Sequence, residues 1–247
     1  MSAATAPLRL AIWSGPRNIS TAMMRAWENR GDCTVSDEPL YAHYLAHTQS
    51  DHPGADEVIA QGETDWRRVV ASLLGAVPNA QPIWYQKHMS HHLLPDIERD
   101  WIHRLTNVFL IRDPVDVVAS YIKSRATVNA DDIGLQQEAQ LFDEVAQKSG
   151  SAPPVIDANE FLQAPEAQLR ALCVHLGVTF SDRMLSWPPG PRDSDGVWAP
   201  HWYAAVWRST GFEASRPRAQ ALTGVAAKAA ADARPWYEGL YRYRLRV

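Results

Sequence analysis

The chain is poor in cysteine: Cys33 and Cys173 are the only two in 247 residues. Two thiols cannot staple a disulfide framework, and such a chain suits a reducing cytosol. There is no apolar run of about 18 residues, so no membrane span is expected. The N-terminal MSAATAP lacks the basic start and apolar stretch of a secretory signal, which again favours a cytoplasmic protein. Positive charge is not in excess: 24 Lys and Arg against 28 Asp and Glu leave a formal net charge of −4. The global field of a nucleic-acid binder is therefore missing, and any polyanionic ligand must be held by local basic clusters. No internal repeat is found.

What is present points to a layered α/β fold. A hydrophobic content of 46% supports a substantial core. The length fits one α/β domain or a domain with a subdomain. Strand-type runs fall near 8–13, 33–36, 81–86, 107–111 and 153–157. Helical patterns fall near 18–30, 64–76, 113–125, 134–148, 165–176 and 217–232. This alternation predicts a parallel sheet covered on both faces, with ligands at the C-terminal strand ends where the strand order reverses. The reading is a single domain over 1–247, with a core near 8–212 and a helical C-terminal segment. Residues 49–63 are polar and read as a loop or lid. Residues 186–200 hold Pro188, Pro189, Pro191 and Pro200 with Gly190 and Gly196, so they can be neither regular helix nor central strand. Ten tryptophans are many, and Trp187, Trp198, Trp202, Trp207 and Trp236 gather late in the chain. They read either as an aromatic-walled region or as large core residues.

Four segments carry chemistry. In LAIWSGPRNIST (10–21) an apolar strand stops at Ser14-Gly15-Pro16 and a helix begins at once. Backbone N–H groups and the positive end of the helix dipole make an anion cradle there, to which Arg17, Asn18, Ser20 and Thr21 add donors. The G-K-[ST] ending of a Walker A loop is absent. In FLIRDPVDVVASY (109–121) Arg112 stands at a strand tip, Asp113 suits an N-cap and Pro114 the first helical position. Ser120 lies on the polar side of that helix with Asp116 and Ser124, so Arg112 and Ser120 can reach one anion. The plainer alternative is a structural arginine paired with Asp113 or Asp116. YQKHMSHHLLP (85–95) holds Lys87, His88, His91 and His92. His88 and His92 stand one helical turn apart, but no carboxylate or cysteine sits at ligand spacing, and no metal is expected. In SDEPLYAHY (36–44) Glu38 follows a strand, and Tyr41, His43 and Tyr44 either line a pocket or form a plain helix face.

Together these segments resemble the sulfotransferases that use 3′-phosphoadenosine 5′-phosphosulfate (PAPS). The resemblance covers about residues 8–212. It implies a three-layer α/β/α, P-loop nucleoside-triphosphate-hydrolase-like fold. It also implies that Arg17, Asn18, Ser20 and Thr21 bind the 5′-phosphosulfate, with Arg17 where the family has Lys and Ile19 where it has Gly. Arg112 and Ser120, eight positions apart, match the 3′-phosphate pair. PRDSDGVWAPHW (191–202) is similar to the loop that closes over that phosphate, with Arg192, Gly196, Trp198 and His201 in register, and Asp193 and Val197 as departures. Ala158 stands where the family has an adenine-side residue such as Tyr. Lys87 and His88 are the nearest equivalents of a Lys and catalytic His, and Glu38 of the carboxylate that some bacterial members use as base. The expected activity is transfer of a sulfuryl group from PAPS to a hydroxyl or amine of a small-molecule acceptor, leaving 3′,5′-ADP. No nucleic-acid or membrane partner is expected. In this scheme Arg17 and Lys87 stabilise the leaving oxygen. A P-loop kinase-like phosphoryl transferase, or a non-catalytic nucleotide-binding module of the same fold, stand as alternatives.

Overall fold

A computed structural model describes residues 6–50, 52–123, 128–214 and 221–247. Five strands, β1 (Leu8–Ser14), β2 (Cys33–Asp37), β3 (Ile83–Met89), β4 (Thr106–Ile111) and β5 (Val155–Asp157), form one sheet in the order β2-β3-β1-β4-β5. Every pairing is parallel. The longer helices are α1 (Ser20–Glu28), α2 (Tyr41–Thr48), α3 (Ala55–Gln61), α4 (Trp66–Leu74), α5 (Pro114–Tyr121), α6 (Leu135–Ser149), α7 (Ala158–Gln163) and α8 (Pro165–Leu176). Two short turns of helix, α9 (Ala199–Trp202) and α10 (Ala204–Arg208), and the terminal α11 (Gly224–Tyr241) follow. Among the described residues no helix is long and apolar enough to cross a membrane.

Strand alternation splits the core into two layers. Leu10 and Ile12 of β1 pack with Val108 and Leu110 against Met23, Met24 and Trp27 of α1 and Leu169 and Leu172 of α8. Ala11 and Trp13 face the other way, with Phe109 and Ile111, toward α4, α5, α6 and α11. Burial on both faces is why the central strands read as continuous apolar runs. Chain punctuation follows local chemistry. The Asp113 carboxylate accepts the Val115 N–H at 2.8 Å and caps α5, with Pro114 at its first position. Asp157 caps α7 through the Glu160 N–H at 2.9 Å. α6 runs between Gly134 and Gly150, both at φ +73°, a left-handed backbone that glycine adopts without strain.

Three expectations change. β3 does not end at 86 but runs to Met89, because Lys87 and His88 stay paired with Ile12 and Trp13 of β1. Residues 49–63 contain α3, which buries Val58. The last helix starts at Gly224 and runs to Tyr241; residues 215–220, where it was expected to begin, lie outside the described residues, as does Ser124. Both cysteines are buried free thiols.

Candidate functional site

The strand order reverses at β1, whose neighbours are β3 and β4. At their C-terminal ends opens a cavity of about 720 Å³. The β1–α1 loop forms its floor. Gly15 is required there: a Cβ would lie 2.2 Å from the Ile133 carbonyl oxygen. The Gly15 N–H donates to Oε2 of Glu138, a fully buried residue of α6, at 3.1 Å. Burial holds the Glu138 carboxyl well above the ordinary carboxylate range, although backbone donors from Gly15 and Leu110 pull the other way. Arg17 takes the left-handed conformation, φ +57°. Ile19 is therefore free of that demand. It sits at the N-cap of α1 with φ −89° and packs its side chain against the α1-side core. Asn18 ties the loop down: its Nδ2 donates to the Leu110 carbonyl at 2.5 Å and its Oδ1 accepts the Ile19 N–H at 2.9 Å.

Arg17, Arg112 and Ser120 converge on one wall. Arg17 Nε donates to Ser120 Oγ at 3.1 Å, and Arg112 Nη1 donates to the Arg17 carbonyl at 3.0 Å. Burial first, and the neighbouring Arg112 charge second, lower the pKa of Arg17. Two guanidinium groups held this close favour an anion between them. Asp113, one of the two partners proposed for a structural Arg112, carries an ion pair with Arg234 at 2.9 Å, and the other, Asp116, accepts from Asn159 Nδ2 at 2.9 Å. Asn18, Ser20 and Thr21 also line the cavity.

The opposite wall is built by β2 and β3. Lys87 Nζ is fully buried and donates to Asp37 at 2.8 Å, Glu38 at 2.5 Å and the Tyr203 hydroxyl at 2.8 Å. Burial lowers its pKa, but the Asp37 and Glu38 carboxylates outweigh that and raise it well above the ordinary lysine value. With three acceptors, its ammonium has no proton left to offer a leaving oxygen. Glu38 lines the cavity with its side chain 12% exposed. Its pKa is raised by burial and by Asp37, against the pull of Lys87. His92 lies beside it, Nδ1 3.9 Å from Glu38 Oε2, stacked on Tyr41 at 4.7 Å and Tyr44 at 4.6 Å. Burial, then its neighbours, lower the His92 pKa well below the ordinary value, so its ring is neutral.

His88 is not brought to the cavity. Its ring stacks on Trp13 at 4.4 Å within the core, Nε2 meets Gln86 at 3.2 Å, and burial takes its pKa down to about 3. His88 on β3 and His92 in the turn 90–92 share no helix face, so the spacing that invited a metal reading does not exist. Nor does Arg192 line the cavity. Its guanidinium pairs with Glu28 at 3.1 Å, and its N–H donates to Asp195. Asp195 fastens the proline-rich stretch: it holds the buried Arg25 at 2.5 Å and 2.7 Å and accepts Trp207 Nε1 at 2.9 Å. Gly196 approaches Asp37 through its N–H at 3.4 Å, while Trp198 reaches the cavity itself. Ala158 is fully buried at the start of α7, away from the cavity lining. Of the late tryptophans, Trp198 and Trp202 are wall residues and Trp187 is core. Asp37, Tyr203 and Glu138 were not singled out for site roles from the sequence, and His92 was weighed only as a metal ligand. A lysine in a buried strand was the available signal for Asp37 and Tyr203, since such a charge demands partners.

The sulfotransferase domain family matches residues 8–241. Among curated proteins the chain is 36% identical over 200 residues to branched-chain-amino-acid aminotransferase-like protein 2 of Arabidopsis thaliana, covering 81% of this chain and 35% of that one. A second such plant protein, number 1, is 36% identical over 204 residues, 83% of this chain and 36% of its own length. The chain thus spans about a third of the length of these relatives. Among solved structures, the sulfotransferase domain of the Synechococcus PCC 7002 olefin synthase superposes with a TM-score of 0.52 at 14% identity, over 100% of this chain and 99% of that one. The sulfotransferase domain from the curacin biosynthetic pathway gives 0.49 at 17% identity, over 92% and 97%. With that family matching nearly the whole chain, the protein belongs to the sulfotransferase domain family.

Proposed function

We propose that the protein transfers a sulfuryl group from PAPS to a hydroxyl or amine of a small molecule. The observation that carries this reading is the convergence of Arg17, Arg112 and Ser120 at the β1 and β4 tips. That donor set fits a nucleotide with phosphate at two positions: Arg112 and Ser120 hold the 3′-phosphate, and Arg17 with the N-terminal N–H groups of α1 holds the 5′ side. PAPS, when bound, supplies the activated sulfuryl group. Arg17 faces the charge that grows on the leaving oxygen. Glu38 accepts the acceptor's proton, and its raised pKa makes it a stronger base than a solvated carboxylate. Lys87 is a positioning residue: it fixes Glu38 and Asp37 at the wall. Tyr41, Tyr44, His52 and Trp202 give the acceptor side flat, amphipathic surfaces.

Titration calorimetry with 3′,5′-ADP and 5′-ADP tests this. The bisphosphate is expected to bind more tightly, by ~1.5–3 kcal/mol for each charged contact to the 3′-phosphate. Arg112→Ala is expected to erase the difference. Equal affinity of the unaltered protein for the two nucleotides would overturn the proposal.

A further inference from the structure

A second cluster lies on another face of α2. Tyr41 and Tyr44 look into the cavity, whereas His43 and His47, four residues apart, stand on a neighbouring stripe of the helix beside Asp96. His43 Nδ1 lies 2.8 Å from the Thr64 carbonyl oxygen, and His47 Nδ1 lies 2.9 Å from the His43 carbonyl oxygen. A carbonyl only accepts, so both rings carry their proton on Nδ1 and leave Nε2 as a bare lone pair. His43 Nε2 is buried and makes no hydrogen bond, and the nearest carboxylate oxygen, Asp96 Oδ2, is 3.9 Å away. One donor atom each from His43, His47 and Asp96 lie within 4.8 Å of one another.

We propose that His43, His47 and Asp96 bind a divalent transition-metal ion of the zinc type. Two imidazoles and one carboxylate are a borderline-soft donor set suited to zinc, and three protein ligands leave a fourth position for water. Tetrahedral zinc with bonds near 2.05 Å separates its ligand atoms by about 3.3 Å. The gap from the present spacing is small, and His47 and Asp96 are exposed and able to turn inward, while the buried His43 is already fixed. The carbonyls of Thr64 and His43 supply the outer hydrogen bonds that orient metal-bound histidines. This ion takes no part in sulfuryl transfer. It ties α2 to the segment after β3, and so braces the cavity wall that Tyr41, Tyr44 and His92 form.

The test is calorimetric titration of the chelator-treated protein with zinc, with cobalt(II) absorption as a second readout. One saturable equivalent is expected, with the visible d–d bands of a low-coordinate site and a rise in melting temperature. His47→Ala and Asp96→Asn, both at exposed positions, are each expected to weaken binding by at least about 10-fold, the scale that even loss of an outer-sphere partner produces. Failure to saturate at one equivalent, or unchanged zinc affinity in both folded variants, would overturn the assignment. Neither result bears on nucleotide binding, which is measured separately.

Discussion

Replacing Glu138 by Gln should alter the pH dependence of stability. The carboxyl is fully buried, accepts the Gly15 N–H, and is raised by burial well above its ordinary range. In the unfolded chain it titrates at about 4.3. Between that value and its raised folded value, the folded state binds one more proton than the unfolded state. Stability must therefore fall as pH rises through that window. One proton corresponds to ~1.4 kcal/mol per pH unit. Glutamine keeps the carbonyl oxygen that receives the Gly15 N–H and cannot ionise in either state. The difference in unfolding free energy, variant minus wild type, is thus expected to climb by up to ~1.4 kcal/mol for each pH unit from about pH 5 upward, until the raised folded value is reached. Urea unfolding curves at several pH values measure it. Taking the difference cancels the other raised carboxyls, Glu38 and Asp157, which titrate in both proteins. Parallel stability profiles for the two proteins across that range would refute the reasoning, because they would mean that Glu138 ionises as freely as in water. The point reaches function: burial disfavours negative charge on Glu138, the residue that holds Gly15 behind the anion cradle.

Three further substitutions, at β3 and the end of β2, give distinct outcomes. Lys87→Met strands Asp37 and Glu38 without their cation and is expected to destabilise the fold by ~3–5 kcal/mol in urea unfolding; a loss below about 1 kcal/mol would show that the carboxylates find water instead. Glu38→Gln should abolish sulfuryl transfer while 3′,5′-ADP affinity stays unchanged. In the wild type the base is competent only above its raised pKa, so the acid limb of kcat should lie above the ~4.3 of an ordinary glutamate; a limb at or below that value would contradict the role. His88→Leu, replacing a ring that packs on Trp13 and is not part of the cavity lining, should lower the melting temperature through loss of that stack yet leave transfer intact; a folded, inactive variant would return the base to His88.

Local signals were legible in the sequence and remote ones were not. The strand before Arg112, the Asp113 cap and Pro114 were readable because each is decided within a few residues. The anion loop was readable for the same reason, although not that Arg17 carries its positive φ while Ile19 does not. The end of β3 was misplaced because Gln86, Lys87 and His88 look like a polar strand tip. What keeps Lys87 inside is Asp37 and Tyr203, 50 and 116 residues away. Likewise Arg192 was read as a ligand for phosphate by its neighbours in sequence, whereas Glu28, 164 residues distant, holds it. The proline-rich stretch was plain from its composition, but its anchor, the Arg25–Asp195 pair, spans 170 residues.

The strand order has a consequence for how such a protein can change. Because β1 sits between β4 and β3, the residues assigned to the nucleotide come from the ends of β1 and β4, α1 and α5, while those assigned to the acceptor come from the end of β2, α2, His52 after it, and α9. Substitutions that reshape the pocket on the β2–β3 side therefore need not touch the groups that grip the nucleotide. A lineage could trade one acceptor for another by drift on one half of the sheet while the other half is held constant, and a laboratory library confined to Tyr41, Tyr44, His52 and Trp202 would explore the same space.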